Sequence, residues 1–247
     1  MRESRKILGV IPARLDSKRL PGKVLRSIAG KAMVHWVYEG ARQSALLDEL
    51  VVATDSEEVR EYCRNHNIPV TMTGPHPSGS DRLHEVMGRT DGDIYVNIQG
   101  DEPTLRPDHL ELLLQPILAG QAGVATLKVQ IDSGAAQDPN NVKVVTDERG
   151  HALYFSRFAI PYDRDGGGGI SYYKHVGLYA YTREMLALFH RLPQSSLELA
   201  EKLEQLRYLQ NGIPILVAET RYDTVGVDTE EDLQPVIAMF SSPPKND

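Results

Sequence analysis

Arg14, Arg19 and Lys23 fall within ten residues, in Arg14-Leu15-Asp16-Ser17-Lys18-Arg19-Leu20-Pro21-Gly22-Lys23, with Ser17 as a hydroxyl donor and Gly22 able to let backbone approach a ligand. Guanidinium forks grip phosphate oxygens in pairs, and a lysine ammonium acts as a compact point charge. Such a loop suits a triphosphate. A basic surface loop is the plainer alternative, and charge alone does not separate the two. The segment lacks the GxxxxGK[ST] spacing of a Walker A loop and the GxGxxG dinucleotide turn, which argues against kinases and dehydrogenases.

Two acidic groups could answer those cations. Gln99-Gly100-Asp101-Glu102-Pro103 sets an acidic pair beside a glycine. Mg²⁺ takes one or two carboxylates plus substrate phosphates, so Asp101 is a candidate ligand, with turn capping as the alternative. Asp228-Thr229-Glu230-Glu231-Asp232 carries the same double meaning: Asp228 as a second metal carboxylate, or Asp228 or Thr229 as the N-cap of a final helix. Ser78-Gly79-Ser80-Asp81-Arg82 opens a helix whose backbone donors suit an anion or a base edge, while capping explains Ser80 equally well. His175, crowded by Tyr173, Lys174 and Tyr179, reads by itself as structural. The eight histidines show no HxH or HExxH spacing, against a zinc site, and no GxSxG elbow is present. Cys63, the single cysteine, excludes an intramolecular disulfide and reads as a small buried hydrophobe.

The elements that position these residues alternate in the first half. Apolar runs at Leu8–Ile11, Glu49–Ala53, Pro69–Met72 and Ile94–Ile98 read as buried strands. Helical stretches at Met33–Gln43, Glu57–Asn65, Asp81–Met87 and Asp108–Leu118 lie between and after them. That order predicts an α/β fold with right-handed crossovers and a mainly parallel, Rossmann-like sheet. Ligands of such sheets bind beyond the carboxyl ends of the strands, where the segments after Ile11, Ala53 and Ile98 sit. The second half reads as β-rich: a hairpin from Val142–Val145 and Ala152–Phe155, a glycine loop at 165–169, and a strand at Val176–Tyr181. Leu199, Leu203 and Leu206 predict one amphipathic helix, with Glu198 and Lys202 as a solvated i, i+4 pair. A short strand is expected at Tyr222–Val227 and a frayed polar tail at 241–247. Residues 1–247 thus read as one α/β domain with an inserted β-rich lobe: a nucleotide-binding half, 1–130, and a second half, 131–247.

A net charge of −7 and no basic tract argue against nucleic acid as a partner, because phosphate neutralisation supplies much of such affinity. A small anionic substrate stays compatible, since a few cations in one cleft act locally. No run approaches the ~20 apolar residues of a membrane span, and Ile7–Ile11 is too short for a signal peptide's apolar core. A cytoplasmic protein without membrane partners is expected.

The same blocks carry a specific resemblance. Ile11-Pro12-Ala13-Arg14 with Ser17 and Arg19–Lys23, then Ser78–Arg82 and Val96–Pro103, come in the order found in the 3-deoxy-manno-octulosonate (Kdo) cytidylyltransferases. So do Ala152–Arg157 with Ile160-Pro161, Lys174–Tyr179, Leu203–Arg207 and Gly226–Thr229, so that the likeness spans nearly the whole chain. The chain departs from the family pattern at Ser80, often Thr, at Tyr162, often Trp, at Ser196, often Pro, and in a shorter glycine loop. The resemblance implies the nucleotide-diphospho-sugar transferase type of sheet, with the β-rich lobe as a dimerisation surface. It also implies transfer of CMP from CTP to Kdo with release of pyrophosphate, for lipopolysaccharide biosynthesis, in a Mg²⁺-dependent homodimer. By motif, the triphosphate falls to Arg14, Ser17, Arg19 and Lys23, the rest of the nucleotide to Ser80, Arg82 and Gln99, and the metal to Asp101 and Asp228. Catalysis falls to Arg14, Lys23 and Asp101. The sugar falls to Arg157, His175, Tyr179, Glu204 and Gln205, with Arg157 suited to the Kdo carboxylate. Amino-substituted Kdo or sialic acid remain as alternative sugars, and a non-catalytic nucleotide-binding module as the alternative class.

Overall fold

The computed structural model describes residues 5–17, 19–166 and 168–241. Contacts divide the chain into two compact units, one of residues 1–110 with 224–247 and the other of residues 111–223. Lys18 and Gly167, in the two loops singled out above, and the tail beyond Ser241 lie outside the described residues.

The first unit opens with β1 (Ile7–Pro12), buried almost throughout, as expected of a strand covered on both faces. A 3₁₀ turn at Lys23–Leu25 and a small hairpin of β2 (Ser27–Ile28) and β3 (Lys31–Ala32) lead into α1 (Met33–Ala41). β4 (Glu49–Thr54), α2 (Glu57–Asn65), β5 (Val70–Met72), α3 (Gly79–Gly88) and β6 (Ile94–Asn97) follow. Within this unit the strands run β6-β1-β4-β5, every pair parallel, as the alternating pattern predicted. Ser56 caps α2 by accepting from the Val59 backbone N–H, and the helix buries Val59 and Cys63. Burial pushes the Cys63 thiol up to about 11, in keeping with an inert core residue.

α4 (Pro107–Leu118) carries the chain into the second unit. There follow β7 (Val124–Ile131), α5 (Ser133–Ala136), β8 (Lys143–Thr146), β9 (Ala152–Ser156), β10 (Tyr172–Thr182), α6 (Arg183–Arg191), α7 (Ser196–Glu201), α8 (Leu206–Gln210) and β11 (Leu216–Thr220). β10 lies antiparallel to β7, β11 parallel to β7, and β8 and β9 form the predicted hairpin. Between Val176 and Tyr179 the β10 register shifts in a bulge, a device that re-aims side chains at functional sites.

Two expectations fail here. The single helix through Leu199, Leu203 and Leu206 is two short ones, because Lys202 adopts the left-handed conformation (φ 56°) and closes α7. Glu198 consequently does not pair with Lys202. It is buried, completes a capping box with Ser195, and grips the buried Arg207 through both carboxylate oxygens. The strand expected at Tyr222–Val227 is irregular, and the regular strand of this region is β11.

The chain returns to the first unit with α9 (Glu230–Ser241). The expected halves met at residue 130, whereas this segment belongs with the N-terminal unit for a packing reason. Val227, Leu233 and Val236 share one core cluster with Leu20, Ile28 and Met33, with Trp36, Val225, Ile237 and Phe240 packed against it. Each fully buried aliphatic side chain contributes about 1.5–3 kcal/mol, enough collectively to fix where the 224–229 segment lies.

Candidate active site

Leu20 and Val227, both in that cluster, flank the loops that matter: Leu20 precedes Lys23, and Val227 precedes Asp228. Gly22 supplies the left-handed turn (φ 66°) from which Lys23 starts. The Asp101 loop joins the same place by two hydrogen bonds. The Val227 N–H donates to the Asp101 carbonyl at 3.0 Å, and the Val225 N–H donates to the Thr104 hydroxyl at 2.8 Å. Gly100 is required on this path, since a Cβ there would stand 2.8 Å from the Pro12 carbonyl oxygen.

The result is one ammonium on two carboxylates. Lys23 Nζ donates to Asp101 Oδ2 and, at 2.9 Å, to Asp228 Oδ1, while Arg19 Nη2 reaches Asp228 Oδ2 at 2.8 Å. Burial favours a neutral Lys23, but Asp101 and Asp228 outweigh it and raise its pKa. Burial likewise favours a protonated Asp228, and Lys23 and Arg19 outweigh that and lower it. The helix-cap alternative for Asp228 is settled by the neighbouring bonds. Asp232 Oδ2 accepts from the Thr229 N–H, and the Thr229 hydroxyl accepts from the Asp232 N–H, so Thr229 caps α9. The Asp228 carboxylate is left for the cations.

The other residues singled out in this unit divide. Arg14 is exposed and makes no ion pair among the described residues, and Gln99 is half-buried after β6. Ser17 accepts from the Leu20 N–H at 3.4 Å, which shapes the loop. Ser80 is buried, and it is Ser78 that caps α3, accepting from the Asp81 N–H. Arg82 is buried and engaged with Asp55 at 3.1 Å, with the Thr73 hydroxyl and with the Gly74 carbonyl, a brace between the segments after β4 and β5. One polar group was not singled out by sequence: Asn97, at the end of β6, keeps its side-chain oxygen buried without a partner among the described residues. An asparagine closing an apolar strand was the available signal.

In the second unit Arg157, His175, Tyr179, Glu204 and Gln205 gather around β9, β10 and the turn before α8. Arg157 is half-buried, and its Nε and Nη1 donate to the main-chain carbonyls of Glu201 and Pro139 at 2.9 and 3.0 Å. Both of these side-chain partners are neutral carbonyls. The His175 ring lies edge-on to Phe155, and its Nε2 stands 2.9 Å from the Thr126 hydroxyl. That hydroxyl donates to the Leu178 carbonyl in the bulge at 2.7 Å, so its oxygen receives the His175 Nε2–H, and Nδ1 keeps its lone pair. Burial holds the imidazole down to about 3, hence neutral. Tyr179 is buried beside His175, and burial followed by the charge of Glu204 raises its phenol well above the usual value. Gln205 Nε2 is buried with no hydrogen-bond partner among the described residues, whereas the buried Tyr179 hydroxyl interacts with the Thr126 side chain. Leaving such a group unsatisfied costs about 1–3 kcal/mol, a cost that a polar ligand relieves.

No group of three or more His, Cys, Asp or Glu side chains forms a ready metal cage among the described residues. Asp101 and Asp228 nevertheless fit Mg²⁺, which binds through one or two carboxylates and completes its shell with phosphates and water. Both already place an oxygen on a single cation, the Lys23 ammonium. Among the described residues no helix is long and apolar enough to cross a membrane.

A parallel α/β sheet with cations and carboxylates converging beyond β1 and β6 defines a nucleotidyltransferase. Residues 8–219 match the cytidylyltransferase family. A 3-deoxy-manno-octulosonate cytidylyltransferase of Acidobacterium capsulatum is 54% identical over 93% of this chain and 94% of its own length. Its counterpart from Koribacter versatilis is 50% identical over 96% and 91%. The solved structure of CMP:2-keto-3-deoxy-manno-octonic acid synthetase complexed with CTP superposes with a TM-score of 0.92 at 46% identity, covering 96% of this chain and 98% of that one. The chain belongs to the cytidylyltransferase family and, within it, to the 3-deoxy-manno-octulosonate cytidylyltransferases.

Proposed function

We propose that this enzyme transfers CMP from CTP to the anomeric hydroxyl of Kdo, giving CMP-Kdo and pyrophosphate. The observation that carries the reading is the Lys23 ammonium bridging Asp101 and Asp228, a charge cluster suited to a triphosphate and its counter-ion. The hydroxyl oxygen forms a bond to the α-phosphorus as the bond from that phosphorus to the bridging oxygen breaks. Pyrophosphate leaves with the electron pair, and the hydroxyl proton is released. Arg14, Arg19 and Lys23 bind and orient the phosphates, with Ser17 shaping their loop. Gln99 serves the nucleoside, and so does the Ser78–Arg82 turn, with Ser80 within it and Arg82 as its buried brace. Asp101 and Asp228 hold the divalent metal that the family generally uses, taken here as Mg²⁺, which offsets phosphate and pyrophosphate charge when bound.

Arg157 pairs with the sugar carboxylate. His175 Nδ1 accepts from a sugar hydroxyl, and Tyr179, Glu204 and Gln205 complete its polar contacts. The unsatisfied Gln205 Nε2 supports a polar ligand there. A homodimer is part of the same reading, supported by Leu153, Phe158 and Tyr162, large apolar side chains left 62%, 83% and 83% exposed along one stretch of the second unit. Pyrophosphate release with CTP or ATP and a panel of acidic sugars, with and without Mg²⁺, tests the reading. Release is expected only with CTP, Kdo and metal together. Comparable turnover with ATP, or equal use of sialic acid, would overturn it.

A further inference from the structure

Glu201, the last residue of α7, makes more bonds to the Arg157 segment than any chemistry assigned to it requires. Its carboxylate accepts from the Ser156 hydroxyl at 2.7 Å and from the Arg157 backbone N–H at 3.0 Å. Its main-chain carbonyl accepts from Arg157 Nε at 2.9 Å. From the other side Lys143, whose side chain is fully buried, donates to the Arg157 carbonyl at 2.7 Å and to the Asp138 carbonyl at 2.8 Å. Burial, and after it the nearby Arg157, lowers the Lys143 pKa despite Asp138 and Glu201. A lysine buried on main-chain carbonyls is a costly device unless those carbonyls must be fixed. The Glu201 carboxylate thus fixes the Ser156–Arg157 backbone, while its main-chain carbonyl fixes the Arg157 side chain. The turn at Lys202 then leads from Glu201 directly to Glu204 and Gln205.

We propose that Glu201 is a positioning residue that couples the Arg157 guanidinium to the Glu204–Gln205 segment and so sets recognition of the acidic group of the sugar. The inference rests on Arg157 meeting that group. Glu201 does not touch substrate; it acts by holding the donor fork and the next two contacts in one register.

Glu201→Gln keeps the main-chain acceptor and the side-chain shape but cannot accept from both Ser156 and the Arg157 N–H. It is expected to raise KM for Kdo about tenfold, the scale of one or two charge-assisted hydrogen bonds, with KM for CTP and kcat within about twofold. Wild-type enzyme is expected to prefer Kdo to its carboxamide analogue, and Glu201→Gln should lower that preference, which general loss of structure would not do. Ser156→Ala should act in the same direction more weakly, and add less than its own effect to Glu201→Gln. Arg157→Ala separates the two ideas. If it leaves KM for Kdo unchanged, the assignment of Arg157 fails. If it raises KM for Kdo while Glu201→Gln and Ser156→Ala leave both KM and the carboxamide preference at wild-type values, the positioning role alone is overturned.

Discussion

Lys23 and Asp228 are 205 positions apart in sequence and stand 2.9 Å apart in the fold, with the Asp228 carboxylate also held by Arg19. Because Thr229 and Asp232 cap α9 by themselves, this carboxylate has no capping duty that an amide could take over. Asp228→Asn keeps the shape and removes the charge. It is expected to lower kcat/KM by about 2–4 kcal/mol of transition-state stabilisation, and Asp101→Asn by a similar amount. Asp232→Ala is the contrasting variant: it weakens the cap and costs about 1 kcal/mol of stability while turnover stays near wild type. Steady-state kinetics paired with thermal melts checks this, and near-normal turnover of Asp228→Asn would remove that residue from the site. Chelator should abolish wild-type turnover and Mg²⁺ restore it.

The same pairing predicts an acid response. The Asp228 carboxyl is held below its ordinary range, so the stability it contributes is present above the unfolded value and is lost as pH falls through the folded one. The melting midpoint of wild type should therefore exceed that of Asp228→Asn by most near neutrality. The gap should close as pH drops below the usual carboxylate range. It should be modest, since the Asp228 side chain is 46% exposed and solvent screens it. A gap that is the same at pH 3 as at pH 7 would mean that the ion pairs are not its source.

The β1, β4, β5 and β6 strands were legible in sequence because each is a short apolar run ended by Pro, Thr-Asp, Thr-Gly or Gln-Gly, and the buried parallel sheet needs nothing more. The candidate site was legible as a set of chemical types, cations after β1 and acids after β6. Asp228 was named there as a second metal carboxylate or a helix cap, and no local pattern chose between the two, because its placement depends on Val227 and Leu20 sharing a core. The helix through Leu199 and Leu206 failed because apolar spacing carries no sign of a left-handed residue at Lys202. Glu198 failed with it: i, i+4 spacing suggested Lys202, while tertiary packing supplied Arg207. Glu201 and Lys143 were passed over because a glutamate and a lysine in amphipathic elements look like solvated charges.

The Glu198–Arg207 pair yields a prediction about stability alone. Both side chains are nearly buried, 5% and 10% exposed, and bonded through two guanidinium nitrogens. Burial would raise the Glu198 pKa, but Arg207 and the Ser195 backbone hold it below the ordinary value. Removing one partner leaves a charge buried without its counterpart, at about 3–5 kcal/mol. Arg207→Leu should therefore lower the melting midpoint by roughly ten degrees for a chain of this length. Replacing both residues with apolar ones should recover part of the loss. A melt of Arg207→Leu within a degree or two of wild type would show that the pair adds nothing net.

His175 gives the last test, because its protonation state follows from its surroundings. The Thr126 hydroxyl donates to the Leu178 carbonyl and receives the His175 Nε2–H, which leaves Nδ1 as a neutral acceptor. Burial first, and the neighbouring Lys174 charge second, hold the imidazole down to about 3. In the unfolded chain it titrates near the ordinary 6.5. Between those values the unfolded state binds the extra proton, so the His175 contribution to stability is intact above about 6.5 and declines as pH falls toward 3. His175→Gln retains a side-chain acceptor but cannot titrate, so its stability should fall less steeply with acid over that window. At the site, a neutral acceptor that never charges in the working range cannot impose a pH step on the rate. The variant should lose sugar affinity, about tenfold in KM for Kdo, while its pH–rate profile between 5 and 8 keeps the wild-type form. If wild type instead shows an inflection near 6.5 that His175→Gln lacks, the imidazole is titrating in the folded enzyme, and its role is that of an acid or base rather than a fixed acceptor.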